Sequence, residues 1–167
     1  MRKYSLKNKE VRKLIKDFIE FYKVEDPSEY FAKSRNKVDC IDIDKSRIYF
    51  IDERPNLLRT EKGLFPTLIF EEFLAKLPHV IVDIGAIGHI CNGADVMAPG
   101  IREINGEFMK ASTIVVKEEK YNKSIALGLS IYDMQELKSI KKGKVIENVH
   151  YVGDIFWELV VKNKAKS

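Results

Sequence analysis

The sequence predicts an α+β protein in two parts: an N-terminal mixed α/β domain, then a C-terminal pseudo-barrel of short β-strands with small helices. Three observations predict it. Near the N-terminus, apolar residues recur at three- and four-residue steps, the signature of an amphipathic helix. From Val38 onward the strand-like runs are short and separated by turn residues, as in a compact barrel-like domain. Leu77-Pro78 breaks the pattern between two such series, and the boundary falls there. The expected organisation is 1–77, then 78–162, with 163–167 as a polar tail. At 167 residues either one large or two small domains can bury a core.

The first expected element is a helix from Asn8 to Tyr22, with Val11, Leu14, Ile15, Phe18, Ile19 and Tyr22 along one side. Asp26-Pro27-Ser28-Glu29 reads as a second helix start: Asp26 as cap, Pro27 in the first turn and Glu29 at the reciprocal position. That helix is expected to run to about Lys33. Val38–Ile43 alternates apolar and polar residues as a half-buried strand does, and Asp44-Lys45-Ser46 turns into a second strand over Arg47–Ile51. Asn56–Thr60 is a third. Thr67–Leu74 fits either a strand or a short helix. His79–Asp83 is β-rich. Thr113–Val116 and Ile125–Ile131 are strand-like, with the charged turn Lys117–Lys123 between them. Asp133 and Glu136 have the spacing of a capping box before a helix with Met134, Leu137 and Ile140, which Gly143 ends. Ile155–Val161 is expected as the last strand, and the polar residues after it as a fraying tail.

Composition narrows the function more by exclusion than by indication. A net charge of +4 permits an anionic partner without requiring one. Cys40 and Cys91 are isolated, so neither a disulfide framework nor a zinc knot is expected. His79, His89 and His150 have no ligand spacing, and no metal or other cofactor is expected. No apolar run approaches the roughly 20 residues that span a bilayer, so a membrane partner is not expected and the cytoplasm is the expected compartment. Phosphate-loop and dinucleotide fingerprints are absent from the sequence. Gly85-Ala86-Ile87-Gly88 matches a Gly-x-x-Gly nucleotide clamp, but a strand-like segment precedes it and the flanking pattern is wrong.

The most informative stretch is Gly85–Ile101: an apolar helical turn stopped by Gly93, a β-leaning triplet, and Pro99-Gly100 at the centre of an expected type II turn. It has no nucleophile with a base beside it. It offers approachable backbone framed by apolar residues, which suits holding a partner. The second half resembles a PUA domain over essentially all of its length. Gly63–Leu68, Pro78-His79, Val82–Ile87, Asn92–Ile101, Ile146–Tyr151 and Asp154–Trp157 follow, in order, the pattern of the malignant-T-cell-amplified-sequence family. That resemblance implies a specific N-terminal (pre-PUA) domain before the PUA domain. It also implies RNA binding at the ribosome, in initiation, re-initiation or recycling of small subunits. The expected partners are rRNA of the small subunit and/or tRNA, with an initiation-factor-like protein as a further partner. The resemblance leads one to expect a basic side chain at the positions of Gly88 and Ala98, where this chain has none.

Candidate RNA contacts follow. Gly93, Ala94, Asp95, Pro99 and Gly100 present backbone to phosphate, sugar or base edges. Met97 and Ile101 suit either an unstacked base or the core. Arg102, Lys110, Lys142 and Lys144 are cations placed to hold the RNA backbone, or else parts of a solvated face. His150 and Tyr151 suit base contact or burial. Residues 2–16 hold seven Lys or Arg against Glu10 alone, so Lys9, Arg12, Lys13 and Lys16 form a second candidate contact. The leading expectation is a non-catalytic RNA-binding translation factor. The alternative from the same fold is an accessory factor of ribosome assembly or RNA modification. An enzyme would need a catalytic cluster, for which Asp39, Asp42 and Asp44 are the only grouped acids in the first part; strand edges and a turn explain them as well. A protein-interaction module using exposed strands is the remaining class.

Overall fold

The computed structural model describes residues 1–31 and 37–164. Two compact units emerge: Met1–Ile69 with the chain end from Val160, and Phe70–Leu159. The first contains β1 (Lys3–Ser5), α1 (Asn8–Tyr22), α2 (Ser28–Phe31), β2 (Val38–Ile43), β3 (Ser46–Ile51), β4 (Arg54–Thr60) and β5 (Gly63–Pro66). The five strands form an antiparallel meander in chain order. The Glu10 carboxylate accepts from the Lys7 amide at 3.0 Å and so satisfies an orphan donor at the start of α1; Lys23, at φ 53°, ends the helix. Val11, Leu14 and Phe18 are buried, as their spacing predicts, each contributing on the order of 1.5–3 kcal/mol. The hydroxyl of Tyr22 donates to the Leu64 carbonyl at 2.7 Å, and Phe21 meets Phe65 edge-on, tying α1 to β5. Residues 32–36, where the second helix was expected to end, lie outside the described residues, as do 165–167 of the expected tail.

The second unit contains α3 (Glu71–Leu74), β6 (His79–Val82), α4 (Ile84–Ile90), β7 (Val96–Met97), a 3₁₀ turn (Ala98–Gly100), β8 (Ile101–Asn105), β9 (Thr113–Glu118), β10 (Ser124–Ser130), α5 (Met134–Ser139) and β11 (Lys144–Tyr151). The last helix, α6 (Ile155–Lys164), begins here and runs past the division between the units. The sheet order is β7-β11-β10-β9-β6-β8, antiparallel except for the β6–β9 pair. Its two outermost strands, β7 and β8, are joined by only the three residues of the 3₁₀ turn. Such a short link forces the sheet to curl until its edges approach, and this makes the pseudo-barrel. Val80, Val82, Val96, Ile114, Val116 and Val145 fill its interior. The α+β class and the barrel of short strands are those the sequence predicts.

Four strands came without a clear signal in the sequence: β1, β5, β8 and β11. Three specific expectations are overturned. Ile155–Val161 is helix, not strand. Its aromatic and β-branched residues imitate a strand, but Gly153 at φ 101° ends the preceding turn, and Asp154 accepts from the Trp157 amide at 2.6 Å as a helix cap. Pro99-Gly100 does not form a type II turn, which would put Gly100 at positive φ; Gly100 is absent from the positive-φ residues, and the segment is a 3₁₀ turn with Pro99 in its first positions. α5 has the expected capping box, with the Glu136 amide donating to Asp133 at 2.8 Å. It stops at Ser139, however, and Gly143, at φ 85°, shapes the later turn into β11.

Candidate nucleic-acid interface

The segment from Asp83 to Gly100 builds a concave surface at the seam of the barrel. Asp83 starts α4 by accepting from the Ala86 amide at 3.1 Å. The helix gives way to a turn in which Gly93 sits at φ 96°, a conformation costly to other residues. A Cβ there would also lie 3.2 Å from the Tyr151 hydroxyl. Asn148 on β11 then fixes the loop. Its side-chain amide donates to the carbonyls of Ile90 (3.0 Å) and Ala94 (2.9 Å), and its backbone amide donates to Asp95 at 2.8 Å. The loop that presents the candidate residues is therefore held to the sheet rather than left to fluctuate.

Between α4 and the 3₁₀ turn lies an open concavity of about 600 Å³. Gly85, Ala86 and His89 line it from the helix, and Ala94, Met97 and Pro99 from the other side. Met97 is 49 % exposed, so it is a surface residue and not core. The size suits a single base or small ligand, and the lining is largely aliphatic. Across Pro99 is a smaller hollow of about 260 Å³, lined by Lys138 and Lys141 together with Ile101 and Leu137. An apolar slot and a cationic one thus share a single turn of backbone. Lys142 and Lys144 continue the cationic side, both exposed. Lys144 lies 3.4 Å from Asp95, a surface pair worth at most about 1 kcal/mol and easily exchanged for a phosphate.

The structure brings together Ala94, Asp95, Met97, Pro99 and Gly100 on the concavity, with Gly93 beside it. It does not gather every candidate there. Arg102 pairs with Asp83 at 3.4 Å and Glu119 at 3.8 Å, so its charge is partly met. Lys110 is exposed on the loop before β9 and lines neither hollow. His150 is fully buried, its Nδ1 2.8 Å from Asp154, which removes it from the accessible surface. Lys9, Arg12, Lys13 and Lys16 are exposed along one face of α1, in the other unit; Lys13 is 3.4 Å from Asp17. Missed in the sequence were Lys138 and Lys141 in the hollow, Asp83, Gly85, Ala86 and His89 in the concavity, and Asn148 as the residue that fixes the loop. Lys138 had a signal, since it begins the cation-rich run 138–144.

The grouped acids of the first unit are occupied structurally. Asp42 pairs with Arg47 at 2.5 Å and accepts from the Tyr4 hydroxyl, which together hold its carboxyl below the usual range. The same bond pushes the Tyr4 phenol well above its ordinary value. Asp39 accepts from Ser5, and Asp44 sits at φ 50° in a hairpin turn. Burial pushes the thiols of Cys40 and Cys91 up, away from reactive thiolate character.

The PUA domain model matches residues 78–152. An uncharacterised protein of Methanocaldococcus jannaschii is 36 % identical over 93 % of this chain and 95 % of its own length. Translation machinery-associated protein 20 of Saccharomyces cerevisiae is 28 % identical over 90 % of this chain and 86 % of its own. Human malignant T-cell-amplified sequence 2 is 31 % identical over 60 % of this chain and 59 % of its own. The chain belongs to this family of PUA-domain proteins. A hypothetical protein of Pyrococcus horikoshii shares the fold with a TM-score of 0.72 and 26 % identity, over 95 % of this chain and 99 % of that one. A PUA-domain structure from Aeropyrum pernix, a tartrate complex, reaches 0.78 at 23 % identity, covering 96 % and 92 %. In this family member, Gly88 is exposed on α4 with nothing within 4 Å of a Cβ added there, and Ala98 lines the cationic hollow. Lys138 and Lys141 line the same hollow as Ala98.

Proposed function

We propose that this protein is a non-catalytic RNA-binding translation factor that acts on the small ribosomal subunit, through rRNA and/or tRNA, in initiation, re-initiation or recycling. The proposal takes 78–162 as the RNA-binding domain and 1–77 as the domain that adds a second contact through Lys9, Arg12, Lys13 and Lys16. An initiation-factor-like protein partner and a cytoplasmic location belong to the same reading. The observation that carries it is the pairing of an apolar concavity with a lysine-lined hollow across Pro99. An unstacked base needs an apolar, hydrogen-bonding slot, and the phosphate beside it needs cations; single-stranded RNA offers both. Family membership supports translation as the setting, since relatives are named translation machinery-associated proteins.

The test is titration of labelled single-stranded RNA with the wild type, Met97→Glu, and Lys138→Ala/Lys141→Ala. A carboxylate at the slot weakens binding by roughly tenfold or more. Loss of two phosphate contacts lowers the salt slope by about 1.4. Wild-type affinity and slope in both variants would overturn this assignment of the surface.

A further inference from the structure

The tip of the β9–β10 hairpin is more ordered than an exposed charged turn needs to be. Glu118 is only 5 % exposed, and its carboxylate accepts from the amides of Tyr121 at 2.6 Å and Lys123 at 3.1 Å. Burial opposes its ionisation, but the amides of Lys123, Tyr121, Asn122 and Lys120 outweigh it and hold the carboxyl below the usual range. Asn122 takes φ 56° to close the turn. One buried carboxylate thus organises the whole loop around itself. What the loop presents is Tyr121, 67 % exposed, with the Lys120 ammonium 5.1 Å from its ring centroid. Lys123 is exposed beyond it. A single exposed aromatic is ordinary; one on a backbone fixed by a buried anion, between two lysines, is preorganised for contact.

The loop also adjoins the concavity. The Glu119 amide donates to the Val82 carbonyl at 3.1 Å, and the Glu119 carboxylate accepts from the Ile84 amide at 3.3 Å. Asp83 and Gly85, on either side of Ile84, line the concavity. Of the nearby acids, Glu118 is buried under the loop, while Glu119 and Asp83 share Arg102, at 3.8 Å and 3.4 Å. Beyond Glu119 the side chains exposed at the tip are Lys120, Tyr121, Asn122 and Lys123.

We propose that Tyr121, with Lys120 and Lys123, is a base-stacking platform that extends the path of single-stranded RNA from the concavity past the start of α4. It rests on the RNA-binding reading above and adds a second base position to it. Stacking on an aromatic ring tolerates any base, and the two lysines hold the phosphates on either side. The platform thus lengthens the bound RNA without adding sequence preference.

Affinities are measured for RNA oligomers of about three and about eight nucleotides, using wild type, Tyr121→Ala, Tyr121→Trp, Lys120→Ala/Lys123→Ala, and Met97→Glu. Tyr121→Ala weakens the longer oligomer roughly five- to hundredfold and leaves the shorter one unchanged, whereas Tyr121→Trp retains both. The double lysine variant lowers the salt slope for the longer oligomer by about 1.4. Circular dichroism establishes that each variant is folded. Equal binding of the longer oligomer by Tyr121→Ala and wild type, with Met97→Glu defective, overturns the platform alone. Failure of the wild type to bind either oligomer overturns the platform and the RNA-binding reading together.

Discussion

At residue 128 a side chain has nowhere to go. A Cβ on Gly128 would lie 2.1 Å from the Glu147 carbonyl oxygen and 2.8 Å from Ile146, because the β10–β11 register shifts between Leu127 and Gly128 and draws the strands together. Opposite Gly128 on β11, Asn148 reaches the loop before β7 through its side-chain amide. Its side-chain oxygen is buried without a partner among the described residues, so the donor side of this amide is what the fold uses. Glu118 is the residue whose role pH can read. Its carboxyl is depressed in the folded state, so its contribution is complete above the unfolded value, about 4.3, and is lost as pH falls through the lower folded value. Thermal melts of wild type and Glu118→Gln should differ most at neutral pH and converge in acid. A constant gap down to low pH would contradict that origin.

Elements were legible where local chemistry and tertiary packing agreed. The α1 stripe, the alternation of β2 and the Asp133–Glu136 box each announce their structure. β1 did not, because Lys3–Ser5 is short and polar and becomes a strand only by pairing with Asp39–Ile41. β8 and β11 carry Glu103 and Asn148 within their runs, which breaks the pattern that marks a half-buried strand. α6 was misread because its composition favours a strand while its start signal, Asp154, outweighs that preference. Asp154 also accepts from the Tyr151 amide at 3.0 Å and faces buried His150. Asp154→Ala should therefore cost about 2 kcal/mol or more, beyond the typical ~1 kcal/mol for a cap, as read by chemical denaturation. Gly88→Ala on α4 should act in the opposite direction, adding about 0.5–1 kcal/mol of stability, because the position is open and helical. A loss of stability there would contradict the helix as described.

At the scale of the molecule, the candidate surface exists because the sheet curls. The sequence displays the Asn92–Ile101 segment, and its residues do line one concavity. It cannot display that β7 and β8 flank a seam, or that α5 brings Lys138 beside Pro99 from far downstream in a different element. Nor can it reveal that His150 is interior, since the burial comes from the packing of β11 and α6 around Asp154. Phosphate binding at this surface should follow counterion release and so fall steeply with salt. The most direct measurement is co-sedimentation of the purified protein with small and large ribosomal subunits over a salt series. Selective binding to small subunits that falls steeply with salt and is weakened by Lys138→Ala/Lys141→Ala is the predicted result. Absence of small-subunit binding at low salt, or binding indifferent to both salt and the lysines, would contradict the account.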